Sequence, residues 1–411
     1  MIDLQVLKEE PTRVKREIGE RGLDLDFEKL VRVDALRREL QAQVDEKRAQ
    51  QKAIKDAAAG KKLKTELRAL EEKFKAADAE FTELALQVPN FHHETTPVGK
   101  DESENAVAKT VGDKPDTKDP KPHYEIPAIA PLIDFERGAK VSGSRFWFLK
   151  GALVHLEAAI IRYALDFYGA KGFEPMRPPS IVNRAAMEGT GFFPADANEI
   201  YLVQDNTGEE QKYLAGTAEV PLASYHADET LNPEQLPIKF IGFSPAYRRE
   251  AGSYGKDTKG ILRGHEFDKL ELFVFSHPDK SWEMHEELQS QAEEFWTSLG
   301  IPFQVLNMCT GDIGAPNAKK YDLEAWMPGE GKYREVASNS NDTDFQARRL
   351  KIRYGKGKAE GLVHTLNNTA TAIGRTIIAI VENYQTAEGT VKLPKVLHPY
   401  LPSDLKEIKG D

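Results

Sequence analysis

From Phe27 to Ala59, and again from Lys61 to Val88, the chain contains neither proline nor glycine. With both helix breakers absent, a long run has little choice but to stay helical if its apolar residues keep a helical period. In the second run Leu63, Leu67, Leu70, Phe74, Ala77, Phe81, Leu84 and Val88 recur at alternating steps of four and three, the a/d spacing of a coiled coil. Leu30, Val33, Leu40, Val44 and Ile54 give a looser form of the same stripe in the first run. Gly60, between them, is placed to cap one helix and turn the chain. Two such helices fold back as an antiparallel hairpin. At 1.5 Å per residue, about 30 residues make an arm ~45 Å long, too thin to be a compact domain. Lys47, Arg48, Lys52, Lys55, Lys61, Lys62 and Lys64 gather near the turn, with Asp56 as the acid set against them. The plain reading is a solvated helix surface. In a chain of formal net charge -10, however, a cationic tip on a long arm points to a polyanion such as nucleic acid.

A length of 411 residues leaves room for a large domain beside the arm. The overall negative charge argues against general nucleic-acid binding, so any such contact is local. Cys309 is the single cysteine, which excludes an intramolecular disulfide and a multi-cysteine zinc site and fits a reducing compartment. After the strand-like Phe303–Met308 it reads as a small buried hydrophobe. Met1–Glu10 lacks an apolar signal core and no apolar run reaches ~18 residues, so no membrane span and a cytoplasmic location are expected.

The expected organisation is an N-terminal domain over residues 1–100 with the arm at about 27–88, a polar linker over 101–125, and a main domain over 126–411. In the main domain, Arg145–Tyr168 and His277–Leu299 have helical periodicity, as does Ala370–Gln385. Phe173–Ile181, with Pro175, Pro178 and Pro179, suits an edge strand. Short strands are expected at Glu199–Val203, Gln211–Leu214, Ile238–Phe243, Tyr321–Met327, Tyr333–Ala337 and Leu362–Asn367. The fold class is α+β, an antiparallel sheet flanked by helices. Neither G-x-G-x-x-G nor G-x-x-x-x-G-K-[ST] occurs, so a nucleotide would be held by some other device. The stretch Phe243–Glu271 offers one. Strands are expected at Ala246–Ala251 and Ile261–Phe275, around a loop holding Gly252, Gly255, Gly260, Lys256 and Lys259. Arginines fixed beside a glycine-punctuated basic loop suit a polyphosphate.

Arg248-Arg249-Glu250, the loop to Arg263, and His265-Glu266-Phe267…Glu271 resemble motif 2 of the class II aminoacyl-tRNA synthetases, with the spacing of the seryl-tRNA synthetases of bacterial type. Pro178-Pro179 is similar to motif 1, and Leu366–Arg375 to motif 3. Thr217-Ala218-Glu219 resembles the family's serine-site triplet, and Glu335-Val336-Ala337-Ser338 with Thr343–Arg349 the stretch leading to its next helix. The resemblance covers almost the whole chain, arm included. It implies a class II catalytic domain behind a coiled-coil arm, acting as a serine–tRNA ligase. Serine would be activated with ATP to seryl-adenylate and pyrophosphate, then transferred to the 3'-terminal ribose of tRNA(Ser), with tRNA(Sec) a second candidate acceptor. Arg248 would contact the α-phosphate, Arg375 the γ-phosphate, and Arg263 would keep the triphosphate bent. Phe267 would stack on adenine and Glu250 read its amino edge, with Arg249, Val336 and Ala337 in the same ATP site. Glu335 and Ser338 would serve magnesium, which favours oxygen donors; no zinc is implied. Thr217, Ala218, Glu219, Glu271 and Thr369 would form the serine pocket, and the seven arm cations would meet tRNA. A homodimer is implied. The chain departs from the family pattern at Gly216, Gly264, Glu266, Asn339, Asp342, Asn368 and Thr371, several of them around the serine pocket. An amino-acid-activating relative with a carrier-protein acceptor and a non-catalytic paralogue are the alternatives. The retained arm disfavours the first, and the intact Arg248, Glu250, Arg263, Glu335 and Arg375 the second.

Overall fold

A computed structural model describes residues 2–54, 56–204, 211–251, 257 and 259–410. Lys55 of the arm and Gly252, Gly255 and Lys256 of the hairpin loop lie outside the described residues. The chain divides into two compact units, Met1–Phe91 and His92–Asp411.

In the first unit α1 (Leu4–Glu9) and α2 (Pro11–Glu20) precede the two arm helices α3 (Phe27–Ala53) and α4 (Ala57–Ala85). The first arm helix ends at Ala53 and the second begins at Ala57, so the break between them does not fall at Gly60. The Asp56 carboxylate accepts from the N–H groups of Ala58 and Ala59 at 2.7 and 2.9 Å, a cap that starts α4 four residues ahead of the glycine. Gly60 therefore sits inside the helix, its N–H bonded to the Asp56 carbonyl at 2.9 Å. The expected seam is buried at Leu30, Val33, Leu40, Val44, Leu63, Leu67, Ala77 and Phe81. Arg37 occupies the seam position between Val33 and Leu40. Its guanidinium lies 4.5 Å from the Phe81 ring centre and pairs with Asp34 at 3.0 Å. Near the base, Ile2, Leu7, Val14 and Ile18 pack on Leu30, Phe81 and Val88, around a buried Arg21–Glu17 pair at 2.8 Å.

The cations expected at the tip separate into two groups. Lys47 pairs with Glu66 at 2.7 Å and Arg48 with Glu71 at 2.8 Å, so both zip the shaft together. The sequence reading missed these acids because they lie across the hairpin. Lys52, Lys61, Lys62 and Lys64 are exposed and make no ion pair among the described residues.

The second unit is organised on an eight-stranded sheet. Its strands are β1 (Ala106–Val111), β2 (Glu174–Met176), β3 (Ile238–Tyr247), β4 (Glu266–Ser276), β5 (Phe303–Asn307), β6 (Lys319–Met327), β7 (Lys332–Thr343) and β8 (His364–Ala372). Their order is β1-β5-β6-β7-β8-β4-β3-β2, antiparallel throughout except for the β2–β3 pair. β1 lies within the stretch expected as a polar linker; pairing with β5 gives its backbone partners that its exposed side chains do not advertise. The helix expected from Arg145 begins at Ala152, behind Arg145 and Gly151, whose φ values of +63° and +54° do not fit a right-handed helix. That expected from Ala370 begins at Ile373, because Thr369 and Thr371 stay paired with β4.

One sheet face carries the core. There α5 (Ala152–Gly169), and further along the chain α7 (Ser281–Ser298) and α9 (Ile373–Asn383), cover Leu270, Leu272 and Val274 of β4. Ile377, Ile378, Ala379, Ile380 and Val381 of α9 are all buried, as expected of a helix apolar around its circumference. On the other face, α6 (Glu219–Ala223) and α8 (Phe345–Leu350) pack over Phe240, Phe273 and Phe275 at one end of the sheet only. The remainder of that face is left for chemistry. Cys309 is fully buried, its thiol directed at the Asp101 carbonyl at 3.2 Å.

Because Gly60 is helical and a Cβ there would meet Ile54 at an ordinary 3.5 Å, Gly60→Ala is expected to stabilise the arm by about 0.5–1 kcal/mol, measured by thermal or urea melting of helicity. A left-handed turn at that glycine would instead make the same change destabilising.

Candidate active site

Along β4, Phe267, Lys269 and Glu271 alternate with Leu270 and Leu272, so that the first three share the face away from the helical core. Glu271 stands between Gly242 on β3 and Thr369 on β8. Two bulges complete the face. On β8 the register skips Ala370, turning both Thr369 and Ala372 toward the site. On β7 it skips Val336, since Glu335 opposes Glu324 and Ala337 opposes Leu323. Glu335 and Ser338 are three apart and would point oppositely on a regular strand. The bulge brings them to one face and sends Ala337 into the core. Gly242 is required by a close approach: a Cβ there would lie 2.7 Å from Leu222 Cδ1, and its absence lets α6 lower Glu219 over the sheet.

At the α6 end the site is acidic and closely bonded. Lys269 Nζ lies 2.5 Å from Glu271 Oε2 and donates to Thr217 Oγ1 at 3.2 Å. The Thr217 hydroxyl donates to Glu271 at 3.4 Å. Glu219 Oε1 accepts from Gln346 at 2.8 Å and from Asn367 at 3.3 Å. The same Asn367 amide reaches Asp342 Oδ2 at 3.1 Å, and Asn317 donates to Asp342 Oδ1 at 2.7 Å. Burial, then the charges of Asp342 and Glu271, push Glu219 up to about 8, against the lowering effect of Gln346 and Lys269.

At the other end the site is cationic. Arg248, Arg263, Phe267, Glu335 and Arg375 border a cleft of about 550 Å³ open to solvent. β3 stops at Tyr247, short of the expected Ala251, and β4 starts at Glu266, later than the expected Ile261. The last backbone exchange is at Arg248 and His265: the Arg248 N–H donates to the His265 carbonyl, and His265 Nδ1–H to the Arg248 carbonyl, each at 3.0 Å. Beyond it Glu250 has φ +51°, which a strand does not allow. The Arg248 guanidinium lies 5.4 Å from the Phe267 ring centre and donates to the Gly216 carbonyl at 3.3 Å. Arg375, in the first turn of α9, donates to the Glu335 carbonyl at 2.8 Å and carboxylate at 3.2 Å. Burial raises the Glu335 carboxyl, but Arg375, Lys320 and Arg248 overcome it and hold the group down at about 2. Arg263 donates to Asp257 at 2.7 Å and to Glu250 at 3.3 Å.

Among the residues singled out from sequence, Arg248, Glu250, Arg263, Phe267, Glu335, Val336, Thr369 and Arg375 border the cleft. Thr217, Glu219 and Glu271 form the acidic end beside it. Ala218 and Ala337 are buried in the core. Arg249 turns away to a separate hollow with Asp196 and Glu199, its N–H bonded to the Glu199 carbonyl at 2.8 Å.

Other site residues emerge only in three dimensions. Lys269 could have been found by stepping back two along β4 from Glu271. Asp257 is bound by both Arg263 and Arg334, which hold it down at about 2 against the burial that would raise it. His123, from the expected linker, accepts the Ile261 N–H at Nε2 (3.0 Å), so its Nδ1 carries the proton and donates to Glu382 of α9 at 3.0 Å. Gly260, with φ +74°, passes so close to that imidazole that no Cβ would fit. The loop leading to Arg263 is thereby tied to the helix carrying Arg375.

Residues 201–384 match the family model "tRNA synthetase class II core domain (G, H, P, S and T)", and residues 1–57 match "Seryl-tRNA synthetase N-terminal domain". The serine–tRNA ligase of Streptomyces coelicolor is 43% identical over 419 residues, 98% of this chain and 97% of its own length. That of Exiguobacterium sibiricum is 41% identical over 431 residues, covering 100% of both. Among solved structures, the seryl-tRNA synthetase from Pyrococcus horikoshii complexed with ATP superposes with a TM-score of 0.91 at 38% identity, covering 100% of each chain. Likeness of sequence and of backbone thus runs the full length of the chain, through the arm as well as the sheet, and the chain belongs to the seryl-tRNA synthetase family.

Proposed function

We propose a division of labour for the serine–tRNA ligase reaction along one sheet face, with ATP at the Arg248–Arg375 end and serine at the Glu219–Glu271 end. The observation that carries it is the polarity of that face. Fixed guanidiniums border the cleft, and the buried Glu271 carboxylate lies two residues along the same strand from Lys269 and four from Phe267, with Glu219 near it. A serine carboxylate oxygen lying between the two ends attacks the α-phosphorus, the bond to pyrophosphate breaks, and seryl-adenylate forms. Arg248 meets the charge that develops on the α-phosphate and Arg375 the γ-phosphate, acting from positions already set by hydrogen bonds. Arg263 exchanges its Asp257 and Glu250 partners for phosphate oxygens. Phe267 stacks on adenine and Glu250 reads its amino edge. Glu219 receives the serine ammonium, while Glu271, Thr217 and Thr369 hydrogen-bond the side-chain hydroxyl. Alanine would leave these buried groups unpaired and is rejected on that account. In the second step the terminal ribose hydroxyl of tRNA attacks the acyl carbon, AMP leaves, and the adenylate phosphate takes the proton.

Glu335 and Ser338 are the residues that would hold magnesium. The donor set fits it, since the bulge on β7 aligns a carboxylate and a hydroxyl, oxygen ligands both, beside the phosphate-binding arginines. Bound there, the ion would supply further positive charge to the triphosphate. The first unit, through Lys52, Lys61, Lys62 and Lys64, is the grip on tRNA(Ser). Short β2 leaves the sheet open at one edge beside the exposed Pro179 and Ile181, the position proposed for pairing with a second copy in a homodimer. No described helix is long and apolar enough to cross a membrane.

Arg248→Ala is expected to lower serine-dependent ATP–pyrophosphate exchange by roughly 10²-fold or more; near-normal exchange would remove that arginine from the reaction. Side-by-side exchange with serine, threonine, glycine and alanine tests the pocket, with serine alone expected to give a strong signal. Neutralising Lys52, Lys61, Lys62 and Lys64 should weaken tRNA binding and reduce its log–log salt slope by up to about 0.7–0.9 per charge lost, an unchanged slope returning the tip to plain solvated surface. Lys269→Met strands the Glu271 carboxylate and should cost about 3–5 kcal/mol in urea unfolding, with much of that recovered when Glu271→Gln is added.

A further inference from the structure

We infer that His123 is a positioning residue for nucleotide choice: its imidazole sets the separation of Arg263 from Arg375, and so lets the cleft tell a triphosphate from a monophosphate. The inference rests on the ATP reading given above. It concerns a residue that does not border the cleft and acts only through those that do.

His123 is buried, and so is Glu382 near the end of α9. Three bonds make the histidine part of the helix body. The His123 N–H and its Nδ1–H both donate to Glu382 Oε1, at 2.9 and 3.0 Å. Just before it, the Lys121 N–H donates to Gln385 Oε1 at 2.9 Å, and Gln385 Nε2 returns a bond to the Lys121 carbonyl at 3.0 Å. The second Glu382 oxygen accepts the Gly329 N–H at 2.9 Å, so the carboxylate is fixed from two sides. Held in this way, the ring reaches out of the helix body with one acceptor, Nε2, and takes the Ile261 N–H at 3.0 Å. Gly260 leaves no room for a Cβ on the loop side, so loop and ring meet in one place only. Ile261 also faces Gly374, where a Cβ would stand 3.4 Å from the Ile261 carbonyl oxygen.

The two segments joined by this bond carry the cations given to the outer phosphates. Arg263 follows Ile261 by two residues. Arg375 and Glu382 stand two turns apart on one face of α9, so the helix that presents one to the cleft presents the other to His123. The guanidiniums themselves are held by different acids, Arg263 by Asp257 and Glu250, Arg375 by Glu335. The His123 bridge ties their backbones. Arg248 is set by a different bond, the exchange with His265 at the end of β3. AMP ends at the α-phosphate and needs only the Arg248 side of the site. ATP must satisfy all three arginines at once, so a loop displaced from α9 is felt by ATP and not by AMP.

The two ends of the imidazole can be removed separately. An asparagine amide reaches as far as Nδ1 and can still donate to Glu382, but places nothing against Ile261. A glutamine is one bond longer, and its carbonyl can accept the Ile261 N–H. Calorimetric titration of the full-length chain with ATP and magnesium, and separately with AMP, without serine, decides the matter. His123→Asn is expected to weaken ATP binding about 5–10-fold and to leave AMP binding within about twofold, with much of the ATP loss recovered in His123→Gln. Parent-like ATP binding in His123→Asn, or an equal loss for both nucleotides, would overturn the proposal; the second result would make the histidine a general support of the fold. Should His123→Asn not fold, Gly260→Ala, which crowds the imidazole from the loop side, is expected to give the same ATP-selective loss, and an unchanged ATP-to-AMP ratio there would also overturn it. If Arg375→Ala left that ratio unmoved, the phosphate assignment itself would fall.

Discussion

A strand whose two faces serve different purposes has no freedom of register. In β4 the residues on one side, Leu270, Leu272 and Val274, are buried against three helices, and that burial decides where Phe267, Lys269 and Glu271 point. Moving the strand by one residue would put the Lys269–Glu271 pair into an apolar core and the leucines into a charged cleft. The bulges at Ala370 and Val336 work within this constraint. Each adds one residue to its strand, so that the apolar side stays in register with the core while Thr369, Ala372, Glu335 and Ser338 come round to the polar side. The helical core thus acts as the jig for the site.

Much of this was legible in the linear chain. The arm could be read because a coiled coil is a local pattern: seam positions and helix lengths are fixed by neighbours three and four apart. The cleft arginines could be read because Arg248, Arg263 and Arg375 fall within family motifs of definite spacing. What escaped reading depends on separation in sequence. Glu66 and Glu71 neutralise Lys47 and Arg48 across the hairpin. β1 is exposed on its surface and exists only because β5 is beside it. His123, in what reads as a polar linker, is held between Ile261 and Glu382, residues that lie far along the chain from it. The turn of the arm was misplaced for a different reason: a glycine is a permissive residue and an aspartate cap is a positive bond, so where the two compete within four residues the cap sets the boundary.

The acidic end shows how a departure from a family pattern acquires meaning. In sequence, Asp342 is a single unusual letter. In the fold it is buried and accepts from two asparagine amides, one of which also reaches Glu219. Two strands away, Lys269 and Glu271 are matched with each other on the same face.

Cys309 has a practical consequence. Its sulfur is closed off from solvent, and thiol-directed reagents need an accessible thiolate. The native chain is thus effectively blank to maleimide chemistry while folded. A cysteine introduced at an exposed arm position would be the one site to take up a dye or spin label, so the arm could be labelled at a chosen point with no prior removal of native thiols.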